Sequence, residues 1–406
     1  MEFIRPSLQL RNRLGREEAL DKQLPKHSRA RSWHVWARLT LASLLLWGVS
    51  PPLAQRRVVA QGTSNGEIPF AITCVEGKCA NCRIRWDLGP TQFTSRNNGW
   101  AVADSWPATG GQGFGERVIL HTSDGGRTWI EVRGTDGYGA SPPSAIFPSA
   151  RVGWLLSYKQ PLGEQTVLET HDGGVTWRDV TAQFPSFPGI IDEKHWYRIE
   201  GAQFVRTADG GATWTRARIP NLVEYNSVDF ISPEIGWIFA MEGNYLIVFG
   251  TTDGGDSWTE SRTSVPKGPT NIRDVFFINK ERGWLIIWNS GERSYLLSTI
   301  DGGRTWTRAS GVLFEEDLDL MKSVAFLSPH IGFVFMDEAE RARTVRSAEP
   351  GWTIHSLAYT WDGGSHWQKL DLPYSVSGCQ VMEGDLICSA SSRSAGLVTL
   401  TLHPKR

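Results

Sequence analysis

The sequence predicts an all-β protein: a seven-bladed β-propeller of four-stranded antiparallel blades, with six blades as the alternative. Three observations lead there. The octet Thr-x-Asp-Gly-Gly-x-Thr-Trp is written six times, at Thr122–Trp129, Thr170–Trp177, Thr207–Trp214, Thr251–Trp258, Thr299–Trp306 and Thr360–Trp367, with Ser257 and His366 replacing the second Thr in two copies. Upstream of most octets stands a Gly, an aromatic residue and an apolar run, as in Gly99-Trp100-Ala101-Val102, Gly236-Trp237-Ile238-Phe239 and Gly332-Phe333-Val334-Phe335. Short β-branched and aromatic runs fill the remainder, and no segment after residue 65 holds a long helical period. Repeats spaced 37 to 61 residues apart mark a solenoid or a propeller, because each unit buries its faces against its neighbours.

Each repeat reads as a four-stranded meander. Runs such as Ser227-Val228-Asp229-Phe230, Val275-Phe276-Phe277-Ile278 and Ser323-Val324-Ala325-Phe326 supply the first strand, and the Gly-aromatic piece supplies the second. Tyr245-Leu246-Ile247-Val248 exemplifies the third, and Thr307-Arg308-Ala309 the fourth. The octet then lies in the turn between third and fourth strands. Its Asp suits an Asx-turn and its paired glycines suit positive φ. We therefore expect Asp124, Asp172, Asp209, Asp253, Asp301 and Asp362, with Trp129, Trp177, Trp214, Trp258, Trp306 and Trp367, to be structural. The third repeat is thin, and its second strand is expected near Trp196-Tyr197-Arg198. After the sixth octet, Val376 to Leu402 offers three strands, and Arg83 to Leu88 is expected to add the fourth and close the ring.

The termini and cysteines set the context. Residues 1–60 read as a signal peptide or signal anchor: a long basic stretch, then the apolar run Leu39 to Val49, too short to span a bilayer comfortably, with Ala60 or Ala54 as cleavage positions. Residues 61–84 form a cysteine-containing segment, and 85–406 the propeller. Cys379 and Cys388 flank Glu383-Gly384 symmetrically, so a two-residue turn sets them on a non-hydrogen-bonded cross-strand pair within disulfide reach. Cys74, Cys79 and Cys82 form C-x4-C-x2-C with no fourth zinc ligand nearby; a disulfide, free thiols and a metal site stay open there. Export to a periplasmic, lumenal or extracellular space is expected, with residues 39–49 as a membrane anchor if they are retained.

The octet resembles the Asp-box, or BNR repeat, of sialidases and other propellers. The fuller unit, over residues 85 to 370, resembles the photosystem II stability/assembly factor family. That resemblance implies an exported, monomeric propeller binding a protein partner, such as a membrane-protein assembly intermediate, without cofactor, metal or catalysis. A sialidase-like glycosidase is the enzymatic alternative; it needs an Arg cluster, a Tyr–Glu pair and an acid/base Asp. The one Arg-Ile-Pro here, Arg218-Ile219-Pro220, follows the third octet instead of preceding the first. A carbohydrate-binding or adhesive surface propeller is a third reading. Net charge is −1, which gives no footprint for nucleic acid. Candidate partner-binding residues lie on the expected channel face: Tyr225, Asn226, Asn271, Arg273, Asp274 and Lys322, together with two long inserts, Gly134 to Pro143 and Glu338 to Trp352.

Overall fold

In a computed structural model, the described residues are 56–57, 70–79, 85–106, 117–134, 144–159, 164–184, 188–265, 270–289, 294–309, 321–336, 354–392 and 396–405. They form seven blades. Blade 1 is Arg85–Phe93, Gly99–Trp106, Arg117–Thr122 and Thr128–Gly134. Blade 2 is Ser144–Ile146, Gly153–Lys159, Glu164–Thr170 and Arg178–Asp179. Blade 3 is Gly189–Ile190, Trp196–Glu200, Gln203–Thr207 and Thr215–Arg218. Blade 4 is Ser227–Phe230, Gly236–Glu242, Tyr245–Thr251 and Thr259–Ser264. Blade 5 is Thr270–Phe277, Gly283–Asn289, Tyr295–Thr299 and Thr307–Arg308. Blade 6 begins with Met321–Phe326, Gly332–Met336 and Ile354–Thr360. The long strand Gln368–Met382 serves twice: its start finishes blade 6, and from Ser375 it opens blade 7 against Asp385–Ser392.

The closing strand differs from the one expected. Blade 7 is completed by Phe70–Cys79, antiparallel to Gly396–Pro404 from Phe70↔Pro404 to Gly77↔Leu397. Arg83–Leu88 does not close the ring: Arg85–Phe93 is the first strand of blade 1. Segment 61–84 thus contributes a strand to the propeller. The alternation of buried Phe70, Ile72 and Cys74 is the physical reason, since it gives this strand one face for the core. Its far end pairs in parallel with Thr128–Trp129 of blade 1, and Arg56–Arg57 pairs along its other edge. The rest of the leader and the two inserts beyond Gly134 lie outside the described residues.

What joins blade to blade is a three-ring relay. The first strand of most blades ends in a Phe: Phe93, Phe147, Phe230, Phe277 and Phe326. Each stands six residues before the Gly of the Gly-aromatic piece. The Phe ring lies over that Gly, so that a Cβ at Gly99 would come 2.6 Å from the Phe93 ring and one at Gly283 2.6 Å from Phe277. Glycine is there to leave room. The other side of the Phe receives the aromatic of the preceding blade: Trp100 stacks on Phe147 at 4.0 Å, Trp237 on Phe277 at 3.6 Å and Trp284 on Phe326 at 3.4 Å, all within 12° of parallel. The octet Trp of the Phe's own blade then meets the ring edge-on, as in Phe277–Trp306 (5.9 Å, 90°) and Phe326–Trp367 (6.3 Å, 85°). Such pairs contribute about 0.5–1.5 kcal/mol each beyond their buried area.

Blade 3 tests this account by breaking the pattern twice. It carries Ile190 where the others have Phe, and Trp196 where they have Gly, and these two residues face each other across the strands. The smaller Ile makes room for the larger Trp. Trp196 meets Trp154 of blade 2 edge-on (5.0 Å, 79°), and Tyr197 takes the relay position, reaching Phe230 of blade 4 at 5.0 Å. Trp214, lacking a Phe, lies under the Arg198 guanidinium at 4.3 Å.

The relay predicts a specific coupling. Gly283→Ala should destabilise the protein by about 1–3 kcal/mol through overpacking against Phe277. The double variant G283A/F277I, imitating blade 3, should lose less than the sum of the two single changes in urea denaturation. Strict additivity would refute the steric pairing.

Candidate functional site

The octets behave as turns. In the fourth copy, Thr251 Oγ1 donates to Asp253 Oδ1 (2.8 Å) and accepts from Gly255 N (2.8 Å). Asp253 Oδ1 also accepts from Ser257 N (2.9 Å), and Oδ2 from Ser257 Oγ (2.5 Å). The pattern recurs around Asp124, Asp172, Asp209, Asp301 and Asp362, with the His366 ring replacing the hydroxyl at 2.6 Å from Asp362 Oδ2. Gly254 and Gly255, at φ 69° and 92°, take backbone shapes that side chains resist. The first octet Gly donates its N–H to the carbonyl of the turn between strands one and two, for example Gly254 N to Glu234 O at 2.7 Å. That turn is itself capped by a small polar side chain two residues after the relay position: Ser95, Ser149, Asp192, Ser232, Asn279 or Ser328. The octet indoles Trp177, Trp214, Trp306 and Trp367 donate Nε1–H to the second octet Gly. Across the blade boundary, Trp100 donates to Gly173 O and Trp237 to Gly302 O.

These bonds hold the octet carboxylates ionised. Donation from Thr176 lowers Asp172 to about 2, and the hydroxyls of Thr207 and Thr213 do the same for Asp209. At Asp253 and Asp362 partial desolvation pushes upward, but donors on Ser257 or His366 outweigh it and the value again falls to about 2. A carboxylate held this way is a poor general acid at neutral pH, and both its oxygens accept from donors within the turn.

The six channel-face candidates separate. All belong to the first-strand side of blades 4, 5 and 6, at the end opposite the octets. Tyr225 is exposed at 44% and Asn271 is exposed too. Asn226 accepts from Met241 N at 2.8 Å, tying the start of blade 4 to its second strand. Arg273 reaches across the blade boundary to Met321 O (2.9 Å) and lies over the Trp288 ring at 5.1 Å. Lys322 is the next residue in that strand and is half-buried. Asp274 faces the protein instead of the channel: it is 4% exposed and accepts from Val324 N of blade 6 at 2.8 Å. Its neighbour's carbonyl and amide ties make this pair partly a blade fastener, as Gln92 is to the Phe147 backbone and Gln380 to the Phe93 backbone. The sequence reading missed Trp288 as a member of this face; its place opposite Asn271 in the ladder was the available signal. No group of metal-ligating side chains able to hold an ion occurs among the described residues.

The cysteines resolve in part. Glu383 and Gly384, at φ 51° and 80°, make the two-residue turn, and Cys379–Cys388 forms a disulfide with Cα atoms 4.0 Å apart. Cys74 is a buried free thiol, pushed up to about 11 by burial and by Glu76. The Cys79 side chain and Cys82 lie outside the described residues.

Fold and site together define a seven-bladed Asp-box propeller. The chain is a β-propeller similar to Ycf48. It is 32% identical over 99 residues to the photosystem II assembly lipoprotein Ycf48 of Synechocystis sp., a match covering 24% of this chain. The matched stretch spans only about a quarter, 26%, of that relative's length. A structure of Ycf48 bound to a D1 peptide aligns at TM-score 0.51 and 17% identity, over 85% of this chain and 97% of its own. Ycf48 from Cyanidioschyzon merolae aligns at 0.50 and 16% identity, over 80% and 98%. Propeller-containing enzymes also align, at lower scores. No family model matches the chain.

The octet carboxylates set an acid limit on stability. Their folded pKa lies below the ordinary 3.8. Their stabilisation is therefore complete above the unfolded value and is lost as pH falls through the folded one. Tryptophan fluorescence should report acid unfolding between about pH 4 and pH 2, and Asp253→Asn with Asp362→Asn should flatten that dependence. An acid transition unchanged by these substitutions would contradict the assignment.

Proposed function

We propose that this chain is a non-enzymatic, exported scaffold that binds a polypeptide segment of a membrane-protein assembly intermediate. The observation that carries the reading is how the polar groups divide. All six octet carboxylates are committed to turns. Aromatic, polar and cationic groups instead collect at the opposite end of blades 4 to 6: Tyr225 and Asn271, which are exposed, and Trp288 under Arg273 with Lys322, which are half-buried. Aromatic and Arg side chains grouped without a paired acid and base suit peptide recognition better than hydrolysis. Both long inserts leave the blades at this same end, after a fourth strand and after a second strand.

The likeness to Ycf48, one structure of which holds a D1 peptide, supports a peptide partner. The disulfide supports an oxidising compartment. The proposed membrane attachment is the apolar run 39–49.

Titration calorimetry with a D1 peptide, alongside affinity capture from detergent-solubilised membranes, tests the proposal. Lys322→Glu combined with Tyr225→Ser should weaken peptide binding about tenfold or more while leaving the melting temperature unchanged. No captured protein and no peptide binding, together with turnover of a fluorogenic sialoside, would overturn the scaffold reading in favour of a glycosidase.

A further inference from the structure

Blade 7 closes the ring. It has no octet, and among the described residues its seam with blade 1 carries ion pairs and a hydroxyl contact beside a glutamine clamp of the kind that also joins blades 1 and 2. Gln380 accepts from Phe93 N (2.9 Å) and donates to Phe93 O (2.7 Å). Arg96 of blade 1 bonds Glu383 at 2.7 Å and Asp385 at 2.6 Å. Thr91 of blade 1 meets Ser389. Asp385 continues to His403 (3.0 Å), and His403 to Thr73 of the closing strand (3.2 Å). These contacts start from one hairpin, residues 375–391. The Glu383-Gly384 turn sets its register from the tip as far as Cys379↔Cys388, and beyond Cys379 a bulge between Val376 and Gly378 breaks the ladder. The disulfide ties the two strands where the regular ladder meets the bulge, one residue from Gln380.

We propose that the Cys379–Cys388 disulfide is a redox lock on ring closure, whose reduction releases the seam between blades 7 and 1 and loosens the N-terminal closing strand. Cys379 is partly exposed and Cys388 is fully buried, so a dithiol reductant enters at Cys379. Its thiolate attacks Cys379 Sγ and the S–S bond breaks, with Cys388 leaving as thiolate and taking a proton. The reductant's second thiol then closes its own disulfide and frees Cys379, which takes the second proton. Two electrons and two protons reach the protein. Without the cross-link the hairpin can open from the bulge toward its tip, and Gln380, Glu383 and Asp385 lose their partners in blade 1 together.

Cys74 is a built-in reporter. In one row across blade 7 stand Cys379, Cys388, Leu400 and Cys74, and the Cys74 thiol is buried while the closing strand is docked. The experiment compares the oxidised full-length protein with the same protein under dithiothreitol, and with a C379A/C388A variant. It reads peptide-resolved maleimide labelling of Cys74 and hydrogen exchange. Loss of the lock should raise Cys74 labelling by on the order of tenfold to a hundredfold and speed exchange in residues 70–77 and 396–404, with blades 3 to 5 unchanged. Gln380→Ala should move the oxidised protein the same way, which separates seam opening from chemistry at sulfur. Cys74 labelling that stays at the oxidised rate after reduction would overturn the proposal. So would exchange that rises equally in blades 3 to 5, since that is general destabilisation and not a seam.

Discussion

A phenylalanine that must lie flat on a glycine organises this molecule. The inner strand ends in a ring, and the next strand has to start without a side chain beneath it. Once that ring is seated, its free face offers a flat apolar surface to the preceding blade's Trp, and its edge meets the octet Trp. Neighbouring blades are therefore fastened by the same three rings that define each blade. Cores such as Trp237, Phe239 and Leu246 with Val275, Phe277 and Leu285 belong to two blades at once. Stability in such an array is a sum of neighbour terms, and a ring has to satisfy one more neighbour term than an open array. Here the extra one, between blades 7 and 1, is met by a borrowed N-terminal strand that reaches blade 1 and by ion pairs from Arg96, beside a glutamine clamp of the kind that also joins blades 1 and 2.

Much of this was legible in the sequence, because turn chemistry is local. The octets fixed the third-to-fourth turns, the Glu383-Gly384 turn placed the cysteines opposite each other, and the blade count followed. The relay was not seen, although Phe and Gly stand six residues apart five times over. The spacing joins two strands across a turn, so it belongs to neither strand's own pattern. The closing strand was also missed. Its alternation was clear, but three cysteines nearby drew the segment toward redox or metal chemistry, and a partner 330 residues away leaves no local mark. Asp274 was misplaced for a related reason: within an inner strand, whether a carboxylate faces the channel or the next blade depends on a bulge, here between Ile272 and Asp274.

The division between fastening and function runs along the strands. Octets and first turns occupy one end of blades 1 to 6 and use up their polar groups there. The opposite end carries the variable connections, the inserts, and the Tyr225, Arg273, Trp288 and Lys322 cluster. An Asp repeated six times looks like chemistry in a one-dimensional reading. Its hydrogen bonds make it a strut, which leaves the proposed partner recognition to residues that do not repeat. Arg273 stands where the two meet, since the carbonyl that anchors it in blade 6 also holds its guanidinium over Trp288.

The account's central claim is that the stacked Trp-on-Phe contact joins adjacent blades. A double-mutant cycle on Trp284 and Phe326, each changed to Leu and followed by urea denaturation, measures it most directly. The two residues lie in different blades with ring centroids 3.4 Å apart. The account predicts a coupling energy of about 1 kcal/mol or more. A coupling indistinguishable from zero would contradict it, and would leave the blades held together by backbone and polar ties alone.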